Sequence, residues 1–142
     1  MERLIEVATQ EGMQIVEHAP LPESYLGLYY QAEGYYPAAF LSRTIYGQRK
    51  WERVVLAEEL GHHLTTTTHS LPKYFKSFSQ KVSISKTEYK ASRKGSQILI
   101  SANELLDAIT SGLEEVWELA EHFNVPDDYM HFRLKVWEVS GK

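Results

Sequence analysis

At 142 residues with no cysteine, the chain is long enough to bury a core, yet it can form neither disulfides nor thiolate metal sites. Any metal it holds must sit on His, Asp or Glu. Hydrophobic residues at 43% and charged residues at 24% are the balance of an ordinary globular domain spanning 1–142, and a formal charge of −4 disfavours DNA binding through the phosphate backbone.

Residues 2–10 predict a short opening helix. The segment Met1-Glu2-Arg3-Leu4-Ile5-Glu6 lacks the apolar stretch of a signal peptide, and no apolar run reaches membrane length, so a cytoplasmic protein without a membrane partner is expected. An extended piece follows around 13–17, and Leu21-Pro22-Glu23 breaks the chain. Two apolar and aromatic stretches, 26–31 and 35–41, flank Ala32-Glu33-Gly34, the signature of a hairpin, because glycine supplies the positive φ of a tight turn. Pro37 implies that the second strand lies at an edge or starts late.

From about 48 to 64 the period becomes helical. Leu56, Leu60 and Leu64 form one stripe, and Trp51, Val55, Glu58 and His62 form another. Val54-Val55-Leu56-Ala57 is apolar all round, as in a centrally buried helix. The threonines 65–68 are poor helix formers and are expected to end it. The basic run from Lys73 to Lys94 is diluted by serines and reads as a solvated face.

The remainder predicts helices. Ser85-Lys86-Thr87-Glu88 reads as a capping box opening a helix to about Ile100, and Ser101-Ala102-Asn103-Glu104 opens another through Ile109. A third is expected from Ser111–Glu114 to near Asn124, and a fourth from Pro126-Asp127-Asp128 to about Val139. The last two resemble a helix-turn-helix, but paired aspartates at the start of a reading helix would repel phosphates, so helical packing is expected there. The plan is α+β: a small antiparallel sheet packed on a buried helix, followed by a helical C-terminal part, about 101–142.

The chemistry concentrates in Leu56-Ala57-Glu58-Glu59-Leu60-Gly61-His62-His63-Leu64. Residues four apart share a helical face, so Glu58 and His62 can grip one ion while Glu59 reaches a water on it. This is the geometry of the zincin motif H-E-x-x-H, with Glu58 standing at the first ligand position and Glu59 at the general base. Taken alone, the pattern is a weak signal and better describes solvated surface charge. The buried character of the helix decides for the site, since a buried carboxylate is costly unless paired or metal-bound. Gly61, which costs the helix about 1 kcal/mol relative to Ala, implies a close approach, expected from a substrate strand or sheet edge.

This stretch, with the segment 34–53 before it, the helix 86–100 and the helical tail, resembles the ImmA/IrrE family of small metallopeptidases of prophages and integrative elements. The resemblance implies a third ligand from the next helix, matching Glu88 in Lys86-Thr87-Glu88-Tyr89-Lys90-Ala91-Ser92-Arg93; where family members carry an aromatic-alanine pair this chain has Lys94-Gly95. Glu88 also fits the capping box with Ser85, so ligand and cap remain alternatives. His63 lies about 100° around the helix from His62 and is a secondary candidate, as is His69. His18, His122 and His131 have no suitable neighbours.

Two carboxylates and one imidazole accept Zn2+ and admit Mn2+ or Fe2+. The resemblance implies a metal-dependent endopeptidase that cuts one regulatory protein, such as a helix-turn-helix repressor. The rival is a zincin-like regulator that binds a repressor or toxin partner without cutting it. The missing first His favours the rival, and intact Glu59 and His62 favour the enzyme.

Overall fold

The computed structural model describes residues 1–65 and 86–142. Helix α1 (Glu2–Gln10) turns through Gly12 into strand β1 (Gln14–Ala19); β2 (Gly27–Tyr30) and β3 (Ala38–Ser42) follow, and a short 3-10 turn (Arg43–Ile45) leads to α2 (Arg49–Thr65). The helices α3 (Lys86–Leu99), α4 (Ala102–Thr110), α5 (Val116–Phe123) and α6 (Asp127–Ser140) complete the α+β architecture.

The expected hairpin is present. β2 and β3 pair antiparallel, with Gly27 opposite Leu41 and Tyr30 opposite Ala38. Of the two readings of Pro37, the late start holds: β3 begins one residue after it and is the central strand. Proline lacks an N–H but keeps its carbonyl, and that oxygen accepts from the Gln14 N–H at 2.9 Å, where β1 joins the sheet. Because β2 intervenes, the chain runs along β1 and β3 in the same direction, and these two pair parallel. The sheet is therefore mixed, in the order β1-β3-β2, and not purely antiparallel as expected.

α2 is enclosed as its composition requires: every residue from 54 to 62 is buried, against the sheet on one flank and α3 on the other. Leu4 and Ala8 of α1, Tyr29, Ala39 and Leu41 of the sheet, Leu56 and Leu60 of α2, and Leu105, Leu119, Phe132 and Val136 of the later helices form one contiguous apolar core. Arg53 on α2 donates to the carbonyls of Phe123 and Asn124 at 2.6 and 2.7 Å, tying α2 to the C-terminal end of α5, where carbonyls lack helical partners.

α4 opens with the expected capping box: the Glu104 N–H donates to Ser101 Oγ at 3.2 Å, and the Ser101 N–H donates to Glu104 Oε1 at 3.0 Å. α5 starts later than its sequence suggests. Ser111 ends α4 by donating its N–H to Asp107, Gly112 turns the chain at φ +112°, and Glu115 takes over as the cap. Asn124 closes α5 in the left-handed conformation (φ 55°), and Pro126 flanks α6 from outside its first turn. Among the described residues no helix is long and apolar enough to cross a membrane.

Candidate metal centre

Two successive faces of α2 carry the polar residues of the motif in different directions. The sheet-facing flank holds Glu59 and, one turn later, His63. Gly27, at the start of β2, lies directly over Glu59: a Cβ there would come within 2.6 Å of Glu59 Oε2 and 2.5 Å of Val55 Cγ1. Two residues on, Tyr29 meets His63, its hydroxyl 2.7 Å from Nδ1, while His63 Nε2 lies 3.1 Å from Glu11 Oε1. Burial pushes the Tyr29 phenol up to about 12, so it stays protonated. His63 is thus a hydrogen-bonding residue of the α2–sheet contact and stands outside the ligand cluster.

The other flank of α2 meets α3 at backbone contact. A Cβ on Gly61 would overlap the Ala91 carbonyl, and one on Gly95 would overlap the Ala57 carbonyl. Ala57 and Gly61 on α2 and Ala91 and Gly95 on α3, each pair four apart, therefore form a reciprocal lock. The close approach at Gly61 comes from this helix, and not from the substrate strand or sheet edge expected. Gly95, in Lys94-Gly95, supplies one half of it.

With the backbones so close, α3 delivers two polar side chains to Glu58 and His62. Ser92 Oγ donates to Glu58 Oε1 at 2.6 Å, both residues being buried. Glu88 Oε2 stands 3.5 Å from His62 Nε2. One ligand atom from each of Glu58, His62 and Glu88 falls within 4.8 Å of the others. An ion holding such donors at about 2.0–2.2 Å would space them roughly 3–4 Å apart. The His62–Glu88 separation already has that spacing, and it is longer than the roughly 2.7–3.2 Å of a good direct hydrogen bond. The donor set could therefore hold a metal ion. Glu58 and His62 come from the interior, whereas the Glu88 side chain is 27% exposed, so the cluster opens to solvent on the α3 side.

Tyr129 of α6 borders this cluster. Its phenol is raised well above its ordinary value, first by complete burial and then by the charge on Glu58, so it remains neutral. The outer face of α3 is basic: Lys90, Arg93 and Lys94 line a cavity of about 380 Å3 with Lys142, so this part of the basic run faces outward as expected.

The three expected ligands, Glu58, His62 and Glu88, are brought together. Glu59 lies beside them but faces β2. His69 and the Ser85 cap lie outside the described residues, as do the threonines 66–68. Sequence reasoning missed Ser92, Gly27 and the pairing of Gly95. A signal existed for Ser92, which sits four residues beyond Glu88 and so shares its helical face. Comparison with protein-family models, with curated proteins and with solved structures yields no match.

Proposed function

We propose that this chain is a metal-dependent endopeptidase of zincin type, of phage or mobile-element origin, acting in the cytoplasm on one regulatory protein such as a helix-turn-helix repressor. The observation that carries the reading is the convergence of Glu58, His62 and Glu88 from two helices, with Glu59 next to them in the chain. When bound, a divalent cation supplies Lewis-acid polarisation of a scissile carbonyl and acidification of water. Glu58 and His62 would hold it from the interior and Glu88 from the rim, which would leave the solvent side for a peptide. Glu59 is the general base of this reading: it would accept the proton of the attacking water and return it to the departing amine nitrogen. Tyr129, kept neutral by burial, adds no charge beside Glu58.

A second reading, a regulator that holds its partner without cutting it, is favoured by one observation: Glu59 is fully buried beneath Gly27. The two readings part on Glu59→Gln. Helix-turn-helix repressors encoded beside the protein are incubated with it and zinc, and fragments are mapped by mass spectrometry. The endopeptidase reading expects one defined cut by the wild type and none by Glu59→Gln, with metal retained by both. Cleavage by Glu59→Gln at the wild-type rate contradicts the mechanism, and repressor capture without cleavage selects the regulator.

A further inference from the structure

Helical serines and threonines ordinarily return their hydroxyl to their own backbone. Thr65 donates to the Gly61 carbonyl at 2.7 Å, Ser96 to Arg93 at 2.9 Å and Ser140 to Val136 at 2.7 Å. Ser92 does otherwise. Its hydroxyl crosses the α2–α3 interface to Glu58 Oε1 at 2.6 Å, within the short range of O–H···O bonds to carboxylate. It is buried between the two small-residue contacts that lock the helices, so neither its backbone nor its rotamer has room to drift.

The chemistry of Glu58 gives this bond a purpose. At the first ligand position of H-E-x-x-H, histidine offers a cation one donor atom in one direction. A carboxylate offers two oxygens and binds through one or both. Glutamate there therefore introduces a freedom the motif lacks, beside a second carboxylate, Glu88, in the same cluster. A hydrogen bond on Oε1 fixes the plane of the carboxylate and draws charge from that oxygen.

Resting on the metal-site reading above, we propose that Ser92 is a positioning residue that makes Glu58 a one-oxygen ligand, giving it the donor geometry of the histidine it replaces. Glu58 and Ser92 are then a functional pair: the hydroxyl has work only while position 58 is a carboxylate.

A double-mutant cycle on the full chain tests this, read as zinc affinity by chelator competition, with thermal unfolding in excess chelator as the measure of the metal-free fold. Ser92→Ala in the wild type should weaken zinc about 10–100-fold, the usual scale for losing a hydrogen bond behind a ligand. In the Glu58→His background, the same change should alter affinity by less than about twofold, since the carboxylate oxygen that Ser92 holds is gone. A packing role would give the same loss in both backgrounds, and that result overturns the proposal; so does no loss in either. Should Glu58→His not fold, the Co2+ spectrum of Ser92→Ala decides. A second Glu58 oxygen raises the coordination number and lowers the visible absorption, whereas a spectrum identical to wild type overturns the proposal. A wild type that binds neither zinc nor cobalt defeats the metal-site reading itself, and this one with it.

Discussion

The α2–α3 junction and the run α4–α6 are both helix packings made by opposite choices. In α4–α6 most local choices serve their own helix: the Ser101–Glu104 box caps α4, Asn124 ends α5 in the left-handed conformation, and Leu105, Leu119, Met130, Phe132 and Val136 fill the interior, while the buried Arg133 reaches out of α6 to the Ile100 and Lys142 carbonyls. At α2–α3 the local choices are poor. Gly61 and Gly95 sit inside helices at about 1 kcal/mol each relative to alanine, and Glu58, His62, Ser92 and Ser96 are buried where leucine would be cheaper. What selects them is the separation of two backbones, short enough for Glu88 and Ser92 to reach α2. Local rules are met more often in α4–α6, and they fail together where Glu58, His62, Glu88 and Ser92 converge.

The sharpest way to break this contrast is to improve α2 locally. Gly61→Ala raises helix propensity by about 1 kcal/mol, yet its Cβ meets the Ala91 carbonyl, backbone that cannot rotate away. We expect a net loss of about 3 kcal/mol in chemical denaturation, together with loss of metal binding as α3 is displaced. Stabilisation by Gly61→Ala would mean that the two helices do not make this contact.

A much smaller effect is expected at the surface, where Arg3 and Glu104 form a bidentate pair at 2.7 Å on both arms, joining α1 to the start of α4. Arg3 holds the Glu104 carboxyl at about 2, below its usual 4.5, assisted by the Ser101 N–H. A depressed carboxylate stabilises the fold above its unfolded value and loses that contribution as pH falls through its folded value. The window is therefore about pH 4.5 down to about 2. Both side chains are more than 40% exposed, so screening limits the pair to under about 1 kcal/mol. Glu104→Gln, which keeps a capping side chain, should lower the melting temperature slightly at pH 7 and match wild type near pH 2. An equal deficit at both pH values would show that the charge contributes nothing.

Legibility followed the same division. The box at Ser101 and Glu104, the glycine turn before Pro37 and the enclosed character of 54–57 are local patterns, and each was readable. The pairing of β1 with β3 was not, because strand order depends on contacts between segments more than 20 residues apart, such as Gln14 with Ala38. Ser111–Glu114 carried cap-like residues, but Gly112 at φ +112° turns the chain and moved the start of α5 to Val116. In the site, Glu58 and His62 were visible from their spacing on one helix. The roles of Ser92 and Gly95 exist only in the register between two helices, and one-dimensional spacing does not express it.

The central claim is that Glu58, His62 and Glu88 share one divalent cation. Its most direct test is metal content, by elemental analysis and zinc titration, of the wild type beside Glu58→Ala, His62→Ala and Glu88→Gln. The account predicts about one ion per chain in the wild type, none in the two alanine variants, and markedly weaker binding in Glu88→Gln with the metal-free fold intact. A wild type without metal, or metal content unchanged in both His62→Ala and Glu58→Ala, would contradict it.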